Sequence, residues 1–191
     1  FIFPDWKFRR LPRTIKRSLQ AQCDYLSEVV EQYKHGRNNG LNYRVVRRAA
    51  HNTDADVASL ISTLATEPDF DPAQKAQAFE FLCLNHTFIS YIAALGAHRE
   101  KIQDQEVLNL LDKALDDIQG ALLRDEVPDL TATNMLQAIR QRLSQNNDDD
   151  QKSLIILQQL SLMFSILDQI SHLKQNLSHD HDPHATELAS L

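Results

Sequence analysis

The sequence predicts an all-α protein, an antiparallel bundle of about six helices of which four are long. The 191 residues include only 4 Gly and 6 Pro, too few for the many turns of a β-sandwich or barrel. Long stretches rich in Leu, Ala, Gln and Asp contain no helix breaker, and apolar residues recur in them at intervals of three and four. A chain of this length can bury a substantial core, so we expect one bundle.

The first two predicted helices are separated by a turn. The first covers residues 14–34, after Pro12, and the segment "HGRNNG" (35–40) ends it because Gly and Asn favour the turn that follows a helix. The second covers about 42–65. Its predicted core positions, spaced by three and four, are Val46, Ala49 or Ala50, Thr53, Val57, Leu60, Ile61 and Leu64.

The third predicted helix has the clearest start signal. Asp71 is suited to the N-cap, Pro72 to the first helical position, and Gln74 completes a capping-box pattern. We expect this helix to continue to about residue 98. The remaining helices are predicted at about 103–124, 131–144 and 149–177, and residues 179–191 are expected to be a flexible tail.

Two apolar stretches resemble membrane spans but are interpreted as buried bundle helices. Residues 79–97 carry the charge of Glu80, and residues 153–167 are too short and contain Gln158 and Gln159. The two cysteines, Cys23 and Cys83, lie in apolar helical patterns and are predicted to be buried thiols.

Charge is distributed unevenly along the chain. The net charge of −6 disfavours non-specific nucleic-acid binding, so no nucleic-acid partner is expected. Residues 1–48 nevertheless contain 11 Lys and Arg against 4 Asp and Glu, whereas the rest is strongly acidic. This division predicts that one end of the protein faces an anionic surface.

The strongest polar cluster lies on the second predicted helix. Arg44, Arg47, His51 and Asp54 follow one another at intervals of three and four, so they share a helix face, and Arg48 lies alongside. One interpretation is an anion-binding or coupling face in which Asp54 holds His51 or Arg47. The other is a salt-bridged, partly exposed face that fixes the register of the helix. Both remain open at this point.

Histidines elsewhere give weaker signals. His86 lies in the apolar run "CLNHTF" and is interpreted as a core histidine bonded to a carbonyl or carboxylate. The segment "HDHDPH" (179–184) contains His179, His181 and His184 but no fixed framework, so we predict no specific metal site there.

Motifs of catalysis do not occur in the sequence. There is no Gly-rich phosphate loop, no H-E-x-x-H, no G-x-S-x-G, and no pair of Glu-x-x-His motifs for a di-iron site. We therefore predict that the chain is not an enzyme and has no cofactor, no resident metal and no catalytic residues.

Several motifs, taken in order, resemble the cytoplasmic part of the YccS-like inner-membrane proteins of Gram-negative bacteria. These proteins belong to the fusaric acid resistance (FUSC) superfamily, which includes aromatic acid exporters. The matching features are Pro4-Asp5-Trp6, the Arg9-Arg10-x-Pro12 step, Gln32-Tyr33, the run from Arg44 to Ala55, and "FLCLNHTFISYIAALGAHRE" (81–100).

The resemblance implies a division of the chain at a membrane surface. Residues 1–13 would be a juxtamembrane segment, in which Phe1 to Phe3 leave the bilayer and Pro4 ends the spanning helix. Residues 14–178 would be a cytoplasmic helical bundle beneath the inner membrane. The membrane-interface residues would be Trp6, Lys7, Arg9, Arg10 and Arg13.

The function implied is that of the cytoplasmic domain of an efflux transporter for aromatic or other organic acids, acting in regulation, assembly or gating. Its partners would be its own transmembrane domain and the membrane surface, with a homo-oligomer left open for the full-length protein. The alternative is a stand-alone helical interaction or ligand-binding module of a regulator, and a metal-dependent helical enzyme is a weaker third option.

Overall fold

Six helices make up the part of the chain that the computed structural model describes, namely residues 5–37, 40–124, 131–145 and 151–179. For residues 5–9, 131, 132 and 179 the description covers the backbone alone. The helices are α1 (Asp5–His35), α2 (Leu41–Leu64), α3 (Pro72–Ala97), α4 (Gln105–Leu123), α5 (Thr131–Gln145) and α6 (Gln151–His179). These ranges contain no strand, which confirms the predicted all-α fold with four long helices.

Consecutive helices run in opposite directions. The backbone N–H of Ile102, just before α4, donates to the carbonyl of Tyr33 near the end of α1 at 3.1 Å. Lys152 at the start of α6 pairs with Glu100 beyond the end of α3. We call the end of the bundle where α1 begins the proximal end and the opposite one the distal end. Helix α1 packs against α2, α3, α4 and α6, and α6 packs against α1, α3, α4 and α5, so these two are the central helices.

Helix α1 begins earlier than predicted. It starts at Asp5 rather than after Pro12, so Pro12 lies inside the helix. A proline in a helix removes one backbone hydrogen bond. Leu11 and Ile15, on either side of it, are both buried against the rest of the bundle. This tertiary packing holds the helix through a residue that, by local preference, would end it.

Helices α2 and α3 begin and end within about one residue of the prediction. Ala50 rather than Ala49 is the buried alanine of α2, and the core positions Thr53, Val57 and Ile61 are confirmed. The carboxylate of Asp71 accepts hydrogen bonds from the backbone N–H groups of residues 73 and 74 at 2.9 and 3.0 Å. The predicted N-cap of α3 is therefore confirmed.

Replacing Asp71 by alanine is expected to lower the free energy of unfolding by about 1 kcal/mol, because two N–H groups at the start of α3 lose their acceptor. Chemical denaturation of the 191-residue chain measures this change. Asp69→Ala is the matched control, since Asp69 is exposed two residues earlier and caps no helix. Equal effects of the two substitutions would contradict the capping role of Asp71.

Length and composition alone would let α3 and α6 each cross a membrane. Their most apolar 18-residue windows have mean hydropathies of 1.3 and 1.4, and 39% and 44% of those windows are buried inside the bundle. Large core side chains on them include Phe81 and Phe88 of α3 and Phe164 of α6. Apolar core helices of globular proteins have this same character, so both helices take part in the bundle core.

The two cysteines differ in environment. Cys23 is buried on α1, and burial raises the pKa of its thiol to about 12. Cys83 is exposed, so the prediction of a buried thiol is wrong for this residue. It follows Phe81 by two residues, which places it on the opposite side of α3 from the core position of that ring.

Candidate functional site

The predicted polar cluster divides into an exposed part and a buried part. We call Arg44, Arg47, Arg48 and His51 the α2 basic face, and all four side chains are exposed. The fifth predicted residue, Asp54, is only 7% exposed and lies against α3. The spacing of three and four residues therefore predicted correctly that the five side chains lie along one side of α2. It did not predict that Asp54, at the edge of this side, is buried.

Part of the α2 basic face borders a shallow cavity of about 520 Å³. Arg44 and Arg48 line it together with Leu41 and Val45, two apolar side chains that are 63% and 56% exposed. Among the described residues, neither of these two arginines forms an ion pair. Exposed apolar groups flanked by unpaired positive charges are typical of contact surfaces.

Asp54 pairs with α3 rather than with its own helix. Its Oδ2 lies 2.9 Å from Nδ1 of His86, and its Oδ1 accepts a hydrogen bond from Nδ2 of Asn85 at 2.7 Å. The expectation that Asp54 holds His51 or Arg47 is therefore wrong. The reason is that α3 packs against this edge of α2 and places Asn85 and His86 within hydrogen-bond distance of the carboxylate.

The hydrogen bonds of Asp54 continue into the core. Asn85 accepts from Nε2 of Gln22 at 2.9 Å and donates to Oγ of Ser18 at 3.2 Å, and all three of these side chains are fully buried. We call Ser18, Gln22, Asp54, Asn85 and His86 the α1–α3 polar network. It joins three helices around one buried carboxylate. Buried polar groups of this kind fix the relative position of the helices that carry them.

One acceptor of the α1–α3 polar network has no hydrogen-bond partner. Oε1 of Gln22 is fully buried and unpaired in the described structure. Burial of an acceptor without a donor lowers the free energy of unfolding. This oxygen is therefore an unsatisfied polar atom inside an otherwise apolar core.

His86 is the exposed end of the α1–α3 polar network. Its side chain is 68% exposed, so the interpretation of His86 as a core histidine is wrong, although its predicted carboxylate partner is present in Asp54. Through this pair the surface between α2 and α3 is connected to the buried amides of Gln22 and Asn85.

The imidazole of His51 lies in an environment that disfavours its charged form. Partial burial lowers its pKa most, the positive charge of Arg47 lowers it further, and Asp54 acts in the opposite direction. A histidine whose pKa is lower in the folded state binds its proton more readily when unfolded. Protonation of His51 therefore favours the unfolded chain. The free energy of unfolding decreases as pH falls from the unfolded pKa of 6.5 towards the lower pKa of the folded chain, and it is recovered as pH rises again.

We expect the pKa of His51, measured by NMR titration, to lie below 6.5 in the native chain. Arg47→Gln should raise this pKa, since it removes a nearby positive charge, and Asp54→Asn should lower it, since it removes the compensating carboxylate. Shifts of the same sign in both variants would show that one of the two charges does not act on the pKa of His51 in the expected direction.

The predicted membrane-interface residues lie at the proximal end of the bundle. Trp6, Lys7 and Arg9 belong to the first turns of α1, but their side chains lie outside the described residues. Arg10 and Arg13 are both exposed. Phe1 to Pro4 also lie outside the described residues, so the expected end of a spanning helix at Pro4 stays a prediction.

The motif residues Gln32 and Tyr33 have structural contacts at the distal end. Arg99, which follows α3, donates from Nε to Oε1 of Gln32 at 2.7 Å, and its guanidinium lies 3.6 Å from the centre of the Tyr43 ring. The hydroxyl of Tyr33 donates to the carbonyl of Leu95 at 2.8 Å. These contacts tie the ends of α1 and α3 to the start of α2.

Sequence reasoning did not single out Ser18, Gln22 and Asn85. Each is an uncharged polar residue at a core position of an otherwise apolar helix stripe, and that mismatch is the signal that could have identified them.

No group of three or more His, Cys, Asp or Glu in the described ranges is arranged to hold a metal ion. Of the histidine-rich segment, residue 179 is the last of α6, and residues 180–184 lie outside the described part of the chain.

Comparison with known proteins identifies three similar sequences. The chain is 41% identical over 179 residues to the inner membrane protein YccS of Escherichia coli, a stretch that covers 93% of this chain and 25% of that protein. It is 33% identical over 104 residues to an uncharacterized protein of Haemophilus influenzae, covering 54% of this chain and 14% of the relative. It is also 33% identical over 69 residues to the uncharacterized protein ORF2 of Neisseria gonorrhoeae, covering 36% and 16%.

The chain thus spans a quarter or less of the length of these curated relatives. No family model and no solved structure matches it. Over 93% of its length, the chain is thus similar to one part of an inner membrane protein.

Proposed function

We propose, from the similarity to an inner-membrane protein, that this chain is the cytoplasmic domain of a bacterial inner-membrane exporter of aromatic or other organic acids. In this proposal it acts in regulation, assembly or gating and catalyses no reaction of its own. The observation that carries the proposal is the 41% identity to YccS over 93% of the chain. Its partners would be its own transmembrane domain, the membrane surface and further copies of the full-length protein.

The distribution of charge supports the orientation. The first 48 residues are strongly basic, and Arg10 and Arg13 are exposed at the proximal end, where α1 begins. Lys and Arg next to a membrane-spanning segment favour its cytoplasmic side. The proximal end would therefore face the inner leaflet.

The α2 basic face is the proposed contact with the rest of the exporter. It combines unpaired positive charge with the exposed apolar side chains of Leu41 and Val45. The α1–α3 polar network fixes α2 against α1 and α3 through Asp54. A movement of the basic face would thus be transmitted to α1, which carries Ser18 and Gln22 of this network.

An export assay with the full-length protein tests the contact. We expect Arg48→Ala to reduce resistance to the exported acid at matched protein level, while Gln103→Ala, at an exposed position outside the face, leaves it unchanged. Asp54→Ala should reduce resistance as well. Because Arg48 forms no ion pair among the described residues, its loss should not alter thermal stability. Unchanged resistance in Arg48→Ala would refute the role of the face.

The gene sequence upstream of Phe1 provides an independent test. The proposal expects an apolar, multi-span segment immediately before this chain. A start codon or a DNA-binding domain at that position would instead favour a stand-alone interaction module.

A further inference from the structure

A basic cavity lies at the proximal end, between the beginning of α1 and the ends of α4 and α6. Its volume is about 650 Å³. The residues that line it are Pro12, Arg13, Lys16, Leu122, Leu123, Lys174, Gln175 and Ser178. They include three basic side chains, and none of the described residues of this lining carries a carboxylate. Its electrostatic potential therefore favours an anion.

Two of the three cations are available to a ligand. Arg13 and Lys16 are exposed, and neither forms an ion pair within the described ranges. They are three residues apart on α1, so they lie on the same side of that helix. A guanidinium and an ammonium together can bind a multiply charged oxyanion, the first through paired N–H donors and the second as a point charge.

Lys174 has a different role in the cavity. It is 8% exposed, and its Nζ donates to the carbonyls of Ala121 and Leu122 at 3.2 and 3.1 Å. These carbonyls belong to the last turn of α4, where the helix dipole is negative. Lys174 thus offsets the charge that would otherwise repel an anion from this wall.

The remaining wall is apolar and restricts the ligand further. Pro12, Leu122 and Leu123 present hydrocarbon to the same space as Arg13 and Lys16. A bare inorganic ion would leave this surface unused. A phosphate group that carries an organic substituent satisfies both the basic and the apolar parts of the lining.

We propose that this cavity binds the phosphate of an organic phosphate ester, supplied by the headgroup of an anionic phospholipid of the inner leaflet. The choice of a lipid rests on the proposed function, which places the proximal end at the membrane. A soluble phosphate ester has the same chemistry, and the experiment below distinguishes the two sources.

Co-flotation of the 191-residue chain with vesicles tests the proposal. Vesicles of phosphatidylglycerol mixed into phosphatidylcholine are compared with phosphatidylcholine alone. In the variant R13Q/K16Q we expect the affinity for the anionic vesicles to fall by about 25-fold, since each basic residue at such a surface contributes about fivefold. The matched control is R37Q/K101Q, which removes the same two charges from exposed positions at the distal end, outside the α2 basic face. It should retain the affinity of the native chain.

Three outcomes decide between the sources. Equal losses in both variants would overturn the cavity site, although membrane association, and with it the proposed function, would stand. If glycerol 3-phosphate perturbs the NMR signals of residues 13 and 16 but the chain does not bind vesicles, the phosphate site is supported and its lipid source is overturned. Absence of binding to both probes would overturn the inference, and the export assay would remain the separate test of function.

Discussion

Asn85→Ala is expected to lower the free energy of unfolding by about 3 kcal/mol. Asn85 donates to Asp54 and Ser18 and accepts from Gln22. Its removal leaves Oδ1 of Asp54 without this donor, and Nε2 of the buried Gln22 keeps only its 3.5 Å contact with Oγ of Ser18. For a chain of this size the loss corresponds to a decrease in melting temperature of about 6 to 12 °C.

Chemical and thermal denaturation of the 191-residue chain measure this effect. The control is Asn109→Ala, because Asn109 is exposed on α4 and forms one hydrogen bond with a neighbouring exposed side chain. Its substitution should change the free energy of unfolding by less than about 0.5 kcal/mol. If Asn85→Ala were equally mild, the network would not be holding the three helices together.

A second variant separates charge from packing. Asn85→Asp places a second carboxylate beside Asp54, where the native amide donates at 2.7 Å. Two adjacent carboxylates repel each other, and one of them binds a proton more readily. We therefore expect the stability deficit of Asn85→Asp relative to the native chain to decrease as pH falls. A deficit independent of pH would point to packing alone.

Gly96→Ala is expected to destabilise the chain by about 2 kcal/mol, although alanine is normally the better helix former by about 1 kcal/mol. A methyl group at Gly96 would lie 2.9 Å from the hydroxyl oxygen of Tyr43 and 3.2 Å from Cγ2 of Val29. Tyr43 is restrained by a 2.9 Å hydrogen bond to the hydroxyl of Tyr25 and by the guanidinium of Arg99 over its ring.

A double-mutant cycle with Tyr43→Phe identifies the cause. This substitution removes the oxygen atom nearest to the added methyl group, so we expect it to reduce the cost of Gly96→Ala by about 1 kcal/mol. The free energies of unfolding of the four chains measure the coupling. Additive effects of the two substitutions would show that the hydroxyl of Tyr43 is not the obstacle.

The motifs that suggested the family resemblance have structural contacts in this fold. Gln32 and Tyr33 connect the end of α1 to residues of α3 and its following turn. Arg99 joins the same region to Tyr43 at the start of α2. These residues therefore hold the distal end of the bundle together. The exposed α2 basic face has no such structural explanation.

Local sequence was sufficient to predict the helices, because their signals act over about four residues. The N-cap at Asp71, the proline after it and the turn at residues 35–40 each restrict the backbone next to them. The spacing of apolar residues likewise determined which face of α2 is buried, including Thr53 and Ile61. The uneven distribution of charge is also a property of the sequence alone.

Tertiary packing decided the contacts between distant parts of the chain. Asp54 and Asn85 are 31 residues apart, and Gln22 and Asn85 are 63 apart. No local pattern specifies which helix edges meet. The sequence therefore suggested partners for Asp54 on its own helix, and its actual partners on α3 could not be predicted. Packing also allows α1 to continue past Pro12. It places Arg13 and Lys16 around the same cavity as Lys174. The physical reason is that burial of many apolar side chains outweighs the preference of any single residue.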